Sequence, residues 1–145
     1  MATQLQLRKG TSLENDSFVG AEAELTYDTT TKGIRVHDGV TVGGNIIDTV
    51  VFFQAPTSEN NYTWVRKYAS GWVEQGGIIT NPAETNYTIP IEMADTNYTV
   101  FITDRTQSNV SQNAGTPTST TQFYLSTNGT GSSYSKNWEV KGLAA

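Results

Sequence analysis

The fold of this chain is decided by the stretch Asn61-Tyr-Thr-Trp-Val-Arg-Lys-Tyr-Ala-Ser-Gly-Trp-Val-Glu-Gln-Gly-Gly77. Two runs of aromatic and β-branched residues flank the dipeptide Ser70-Gly71, which predicts a β-hairpin closed by a two-residue loop. In that register Lys67 lies opposite Glu74. An opposite-charge pair of this kind stabilises a sheet by roughly 0.2–1 kcal/mol. The stretch therefore predicts an antiparallel sheet in the second half of the chain.

The composition extends this prediction to the whole chain. Of its 145 residues, 36% are apolar and 16% are charged, and Thr, Asn, Ser and Gly dominate the rest. The aromatic content of 10% is too high for a disordered chain. Short Thr-rich segments separated by Gly and Asn are typical of an all-β protein.

Charge and residue usage exclude several classes of function. The net charge is −5 and no Lys/Arg cluster is present, which argues against a nucleic-acid partner. The absence of cysteine excludes disulfides and thiolate chemistry. No signal peptide and no run of about 20 apolar residues is found, so we expect synthesis in a host cytoplasm without membrane insertion.

The first third of the chain has its own short elements. A strand is predicted at Gln4–Arg8, and Thr11 with Glu14 three residues later has the spacing of a helix capping box. A second hairpin is predicted from 24–28 and 34–38. A unit of only about 45 residues rarely buries an adequate core alone, so we expect it to associate.

These residues carry a family resemblance. The segments Leu5-Gln-Leu-Arg-Lys-Gly-Thr-Ser12, Gly20-Ala-Glu-Ala-Glu-Leu-Thr-Tyr-Asp28 and Ile34-Arg-Val-His-Asp-Gly39 follow one another as in the N-terminal domain of phage major tropism determinants, which they resemble. The resemblance implies a small β-prism-like domain that forms a homotrimer and attaches to another virion protein. It covers residues 1–47, which we predict to be the trimerising and attachment domain.

A second domain is predicted after a linker at 48–58, where Pro56 interrupts regular strand pairing. Residues 59–145 resemble the C-terminal domains of phage and prophage fibre proteins, mainly through the hairpin stretch and the closing segment Trp138-Glu-Val-Lys-Gly-Leu-Ala-Ala145. The resemblance implies an antiparallel β-sandwich-like tip domain.

Two polar, turn-rich segments, 105–121 and 127–136, are predicted to be exposed loops of that tip. Their polar side chains are either ordinary solvated loop residues or a recognition surface. The candidate receptor-binding residues are Gln107, Asn109, Gln112, Asn113, Thr118 and Tyr134. The three tryptophans Trp64, Trp72 and Trp138 fit either sugar stacking or core packing, and the large area each ring buries favours packing.

Catalysis is not expected. His37 is the only histidine, and without a second histidine or a cysteine it cannot complete a metal site or a hydrolase triad. Carboxylates such as Glu92, Asp95 and Asp104 are too scattered in sequence to predict a glycosidase pair. We therefore predict no catalytic residues, no metal and no cofactor.

Together these features predict a virion fibre protein, specifically a tail fibre. It would attach a phage to a host-surface glycan or protein receptor through the tip loops of a homotrimer, where linked weak sites gain avidity. One alternative is a short capsid (head) fibre or decoration protein with a structural role. Another is an enzyme that depolymerises surface glycan.

Overall fold

The computed structural model describes residues 6–105, 112–128 and 134–145 and confirms the all-β class. Apart from a short α-helix and a 3₁₀ turn at Ser58–Asn60, the regular elements are strands. In chain order they are β1 Arg8–Gly10, α1 Ser12–Asp16, β2 Leu25–Asp28, β3 Ile34–Val36, β4 Asn45–Ile47, β5 Val50–Gln54, β6 Trp64–Tyr68, β7 Trp72–Ile79, β8 Asn86–Thr88, β9 Thr99–Asp104, β10 Gln112–Ser119, β11 Gln122–Asn128 and β12 Lys136–Leu143. In this part of the chain no helix is long and apolar enough to cross a membrane.

The chain divides into two compact units. The first comprises Met1–Val51 and Tyr68–Ser70, and the second comprises Phe52–Lys67 and Gly71–Ala145. The boundary after Val51 falls inside the predicted linker at 48–58. The assignment of attachment to 1–47 and of recognition to 59–145 stays a prediction.

The first unit contains a four-stranded sheet in the order β1-β2-β3-β4, with β1 and β2 parallel and the other pairs antiparallel. The capping box predicted for α1 is present, since the Thr11 hydroxyl accepts from the Glu14 N–H and the Glu14 carboxylate accepts from the Thr11 N–H. The hairpin predicted from 24–28 and 34–38 corresponds to β2 and β3. Within the described residues, the strand predicted at Gln4–Arg8 coincides with β1 only at Arg8, where pairing with β2 begins, and Gln4 and Leu5 lie outside the described residues.

The buried centre of this unit is polar. Arg35, which is 6% exposed, donates hydrogen bonds to Asp28 at 2.8 Å and to Asp16 at 2.7 Å, and Asp28 is 1% exposed. His37 is also buried, where Nδ1 accepts from the Gly20 N–H at 3.2 Å and Nε2 lies 3.0 Å from the Thr26 hydroxyl. These contacts make His37 a structural residue. They also show that the short strands are held together by a polar network in which the charge of Arg35 is paired with two carboxylates, as buried charges require, while Nε of Arg35 has no hydrogen-bond partner among the described residues.

The stability of this network should depend on pH through Asp28. Burial alone would raise the pKa of Asp28, but hydrogen bonds from the Thr31 and Thr30 N–H groups, Arg35 and Ser12 outweigh burial and lower the pKa to about 2. A carboxyl whose folded pKa lies below its unfolded value stabilises the fold above the unfolded pKa, near 4, and loses that contribution as pH falls through the folded pKa. We expect the first unit to lose about 2 kcal/mol between about pH 5 and pH 2. Urea unfolding followed by the amide NMR signals of 25–36 measures this loss, and the variant Asp28→Asn should show a flatter pH dependence over that window.

The second unit has two antiparallel sheets with a hydrophobic core between them. A five-stranded sheet runs in the order β5-β6-β7-β12-β9, and a three-stranded sheet runs in the order β10-β11-β8. The buried core residues are Ile79, Ile89, Met93, Tyr98, Phe123, Leu125, Trp138 and Val140. They come from both sheets and the segments beside them, which gives the predicted sandwich-like arrangement.

The register predicted for the central hairpin was wrong by one residue. Arg66, not Lys67, lies opposite Glu74, and Lys67 lies opposite Val73. The connection is the three-residue loop Ala69-Ser70-Gly71, with Gly71 in the left-handed region at φ +87°. A three-residue hairpin loop ends in just such a left-handed residue, so glycine at 71 fits this loop as well as the shorter one.

We expect replacement of Gly71 to lower the stability of the protein through the backbone conformation alone. A Cβ atom at this position would meet no atom within 4 Å, so substitution brings conformational strain without a clash. Gly71→Ala is expected to lower the free energy of unfolding by about 1 kcal/mol, and Gly71→Asn by less, because Asn tolerates the left-handed region. Urea unfolding followed by tryptophan fluorescence checks the order. Equal stability of all three proteins would show that the loop does not need a left-handed residue.

The largest error of the sequence prediction is the loop proposed at 105–121. Residues 112–119 form β10, which pairs antiparallel with β11. Pro117 is tolerated because β10 is an edge strand and its register shifts between Pro117 and Ser119. In the second proposed loop, 127–136, β11 extends to Asn128 and β12 begins at Lys136, and residues 129–133 lie outside the described residues.

Candidate functional site

The outer face of the five-stranded sheet carries an aromatic groove. Strand register places Trp64 opposite Gly76, Gly76 opposite Glu139, and Glu139 opposite Phe101. The four residues therefore form one row across β6, β7, β12 and β9. Three strand spacings separate the two aromatic residues, or about 14 Å between their backbones. An acidic residue and a glycine lie between them.

Gly76 lets the indole ring of Trp64 lie close to the sheet. A Cβ atom at Gly76 would come within 2.9 Å of Cε2 and Cζ2 of Trp64 and within 2.7 Å of the Trp138 carbonyl oxygen. Any larger residue at position 76 would push the Trp64 ring away from the sheet and fill the space above the strand. Glycine in a strand interior often marks such a close approach.

The cleft formed at this row has a volume of about 430 Å³. Its side chains include Tyr62, Trp64 and Phe101 as the aromatic walls, with Thr103, Asn137 and Glu139 as polar groups. We call these six residues the aromatic groove. The Asn137 side-chain amide donates to the Thr103 hydroxyl at 3.4 Å, so the polar end is already partly ordered. A mainly apolar concavity with a few fixed polar groups is typical of a small-ligand site.

Tyr62 reaches the groove from a strained turn. Asn61 and Tyr62 have consecutive left-handed backbones, with φ of 52° and 54°. The Tyr62 N–H donates to the Thr57 carbonyl at 2.7 Å, and the Asn61 carbonyl accepts from the Ile78 N–H at 3.0 Å, which holds this conformation in place. A bulky residue in this region costs on the order of 1–3 kcal/mol, and such strain is found preferentially at ligand sites. The Tyr62 side chain is 49% exposed.

A second hollow adjoins the aromatic groove and shares Trp64 and Glu139 with it, and Pro56 lines both cavities. Its volume is about 460 Å³. Along its floor runs an ion-pair ladder made of Arg66, Glu74, Lys141 and Glu139. The successive N–O distances are 4.0, 3.6 and 3.1 Å. Two positive and two negative side chains leave this floor without net charge.

The ladder fixes the carboxylate that faces both hollows. The hydrogen bond from Lys141 to Glu139, supported by the charges of Glu139 and Glu74, raises the pKa of Lys141 above its ordinary value. Arg66 lies 5.7 Å from the centre of the Trp64 ring, which adds a cation–π contact on the same indole. The groups that a ligand would meet are therefore held in position before it arrives.

The structure describes four of the six residues predicted from sequence to bind the receptor. Gln107 and Asn109 lie outside the described residues. The backbone of Gln112 pairs with Asn128 at the start of β10, and Tyr134 precedes β12 and is 37% exposed.

The remaining two predicted residues take part in contacts within the sandwich. Asn113 donates to the Asp104 carboxylate at 3.1 Å. The Thr118 hydroxyl lies 3.1 Å from Asn86 Oδ1 and 3.1 Å from the Gln122 carbonyl oxygen. Both residues therefore have structural roles on β10 that the loop interpretation did not predict.

The aromatic groove was missed because its residues are distant in sequence. Trp138 is buried in the core, as the packing interpretation expected, whereas Trp72 is 39% exposed and Trp64 is only partly buried. Phe101 was not singled out, although it alternates with the core-facing residues Val100 and Ile102. The available signal was that alternation, which places Phe101 on the outer face of its strand.

Among residues 6–105, 112–128 and 134–145, no group of three or more His, Cys, Asp or Glu side chains is arranged to hold a metal ion. The acidic residues Glu92, Asp95 and Asp104 occupy separate places in the second unit. Asp95 accepts from Asn97, Glu92 accepts from the Thr120 hydroxyl, and Asp104 pairs with Lys136.

Residues 5–41 match the family model described as the major tropism determinant N-terminal domain, so the resemblance stated for this part of the chain is confirmed. The first part of the chain is therefore similar to the N-terminal domain of major tropism determinants.

A particular relative extends the match beyond that domain. The chain is 30% identical to the "Tail fiber receptor-binding protein" of Bordetella phage BPP-1 over 130 residues, which covers 81% of this chain and 34% of the relative. The chain thus spans about a third of the length of that protein.

Two solved structures are also similar. The Major Tropism Determinant P3c variant is 24% identical with a TM-score of 0.30, and the U1 variant is 25% identical with a TM-score of 0.31. Each match covers 58% of this chain and 28% of the solved chain.

Proposed function

We propose that this chain is a tail-fibre component of a phage particle and attaches the phage to a receptor on the host surface. The observation that carries the proposal is the similarity to a tail-fibre receptor-binding protein over 81% of the chain. In this proposal the first unit holds the chain to another virion protein and to its own copies. The second unit binds the receptor, and the aromatic groove is the candidate binding site.

A homotrimer is supported by the distribution of polar and apolar side chains in the first unit. Its centre is the buried polar network around Arg35, whereas large apolar side chains lie outside. Leu13 and Val40 are 82% and 81% exposed. The other exposed large apolar residues in the described part of this unit are Val19, Leu25, Val42, Ile46, Ile47 and Val50.

A surface made of these exposed apolar side chains would be stabilised if another chain covered it. Identical copies would supply the matching apolar surface. Three copies would also raise the avidity of a weak receptor site. Light scattering in solution tests this part, with a mass of three chains expected.

The receptor in this proposal is a host-surface glycan or protein, bound without chemical change. A nucleic-acid partner is not expected for a chain with net charge −5. A depolymerising enzyme would generate new reducing ends when incubated with host polysaccharide. We expect none.

Adsorption of the phage to its host is the experiment that tests attachment. Purified chain added before the phage should occupy receptors and slow adsorption in proportion to its concentration. Serum albumin at equal mass is the control for non-specific effects. Unchanged adsorption at concentrations that saturate the cell surface would contradict attachment and return the chain to the alternative of a capsid fibre or decoration protein.

A further inference from the structure

We propose that the aromatic groove and the adjoining hollow together bind a segment of a neutral oligosaccharide. This inference rests on the proposed attachment function, and it identifies the site and the chemical class of the receptor. None of the six receptor-binding residues predicted from sequence belongs to this groove.

The shape of the site suits a chain of sugar rings. Two hollows of about 430 and 460 Å³ are each within the range of small-ligand sites, and Trp64 lines both of them. A ligand that occupies both must be elongated and must pass over the indole. The flat apolar face of a pyranose ring stacks on such a ring, while its hydroxyl groups remain at the edges.

The polar groups of the site lie where the hydroxyl groups at the edges of the sugar rings would be. Asn137 and Thr103 offer amide and hydroxyl groups at one end, and Glu139 offers a carboxylate in the row between Trp64 and Phe101. A carboxylate accepts hydrogen bonds from sugar hydroxyls, and a side-chain amide both donates hydrogen bonds to them and accepts hydrogen bonds from them. Lys141 holds Glu139 at 3.1 Å, so the acceptor is pre-organised, which reduces the ordering cost of binding.

The charge of the site selects the ligand class. The ion-pair ladder balances its two positive groups with two negative groups, so an anionic sugar gains no net attraction. An apolar protein surface laid over the ladder would bury four charged groups away from water, which costs more than their pairing returns. A neutral saccharide leaves these groups partly hydrated and bonded to hydroxyls. The observations therefore favour a neutral saccharide over a protein partner or a second copy of the chain.

The test uses the full chain and a printed array of neutral and anionic bacterial oligosaccharides, followed by titration calorimetry with the best-bound neutral compound. The wild type is expected to bind neutral compounds. Trp64→Ala should weaken binding about tenfold or more, because truncating a central aromatic contact typically costs over 1 kcal/mol. Phe101→Ala, at a 50% exposed position that is easily tolerated by the fold, provides a second variant with the same expected direction.

Trp72→Ala is the matched control. Trp72 lies on β7 and is 39% exposed, but it lines neither hollow. Its replacement should change affinity by less than about twofold. Thermal unfolding of each variant identifies any loss of affinity that comes from misfolding.

The inference is overturned by any of three results: no saccharide bound, binding to anionic compounds alone, or full affinity in both folded groove variants. The phage adsorption assay separates this failure from failure of the proposed function. If wild type and Trp64→Ala block adsorption equally, attachment stands and the groove is not the site. If the groove binds saccharide but wild type leaves adsorption unchanged, the saccharide site stands and the attachment function fails.

Discussion

Replacing Arg35 with alanine is expected to destabilise the first unit by about 3–5 kcal/mol, because it leaves the buried carboxylate of Asp28 without its cation. Asp28 is 1% exposed and cannot recover the lost contact from bulk water. Hydrogen exchange followed by mass spectrometry on peptides covering 25–36 measures the loss. Exchange from these strands should accelerate strongly, since few apolar contacts inside the unit hold them together.

Arg8→Ala is the control for Arg35→Ala. Arg8 pairs with Glu24 at 3.3 Å, but its side chain is 58% exposed. A surface ion pair of this kind contributes at most about 1 kcal/mol. If the two variants lose similar stability, the polar centre does not hold the first unit together. The apolar side chains of the unit would then contribute a larger share of its stability.

Phe123→Ala is expected to lower the free energy of unfolding of the second unit by about 3–5 kcal/mol. The Phe123 ring is fully buried between the two sheets, with ring centres 5.9 Å from Tyr87 and 5.8 Å from Trp138. Its removal opens a cavity that neither sheet can close alone. Urea unfolding followed by fluorescence reports this unit selectively, because Trp64, Trp72 and Trp138 all belong to it.

The neighbouring residue supplies the control for this prediction. Tyr124 lies on the same strand with its side chain 37% exposed. Tyr124→Ala should cost far less than Phe123→Ala, because much of the ring is already in water. An equal loss from both variants would contradict the placement of the core between the sheets.

Much of the fold was predictable because alternation and turn residues are local signals. The capping box at Thr11 and Glu14, the β2–β3 hairpin and the central hairpin all follow from neighbouring residues. The hairpin register was not fixed by them, because Gly71 suits loops of two or three residues. Strand β10 was missed because its Thr, Pro and Gly residues resemble a loop until their pairing with β11 is known.

The candidate site was less predictable than the fold. Trp64, Gly76, Glu139 and Phe101 form one row only through three separate strand pairings, and no local pattern specifies all of them. The polar centre was hidden for a related reason. In the sequence, Arg35 and Asp28 fit the alternation of an ordinary hairpin. Their burial depends on how α1 and the β-strands pack.

The most direct test of the account is binding of the fluorescently labelled full chain to cells of the phage's host. We predict saturable binding that excess unlabelled chain abolishes and that unlabelled Trp64→Ala competes for much less effectively. Absence of saturable binding to cells that the phage itself infects would contradict the account, because a fibre component that attaches the phage must recognise those cells.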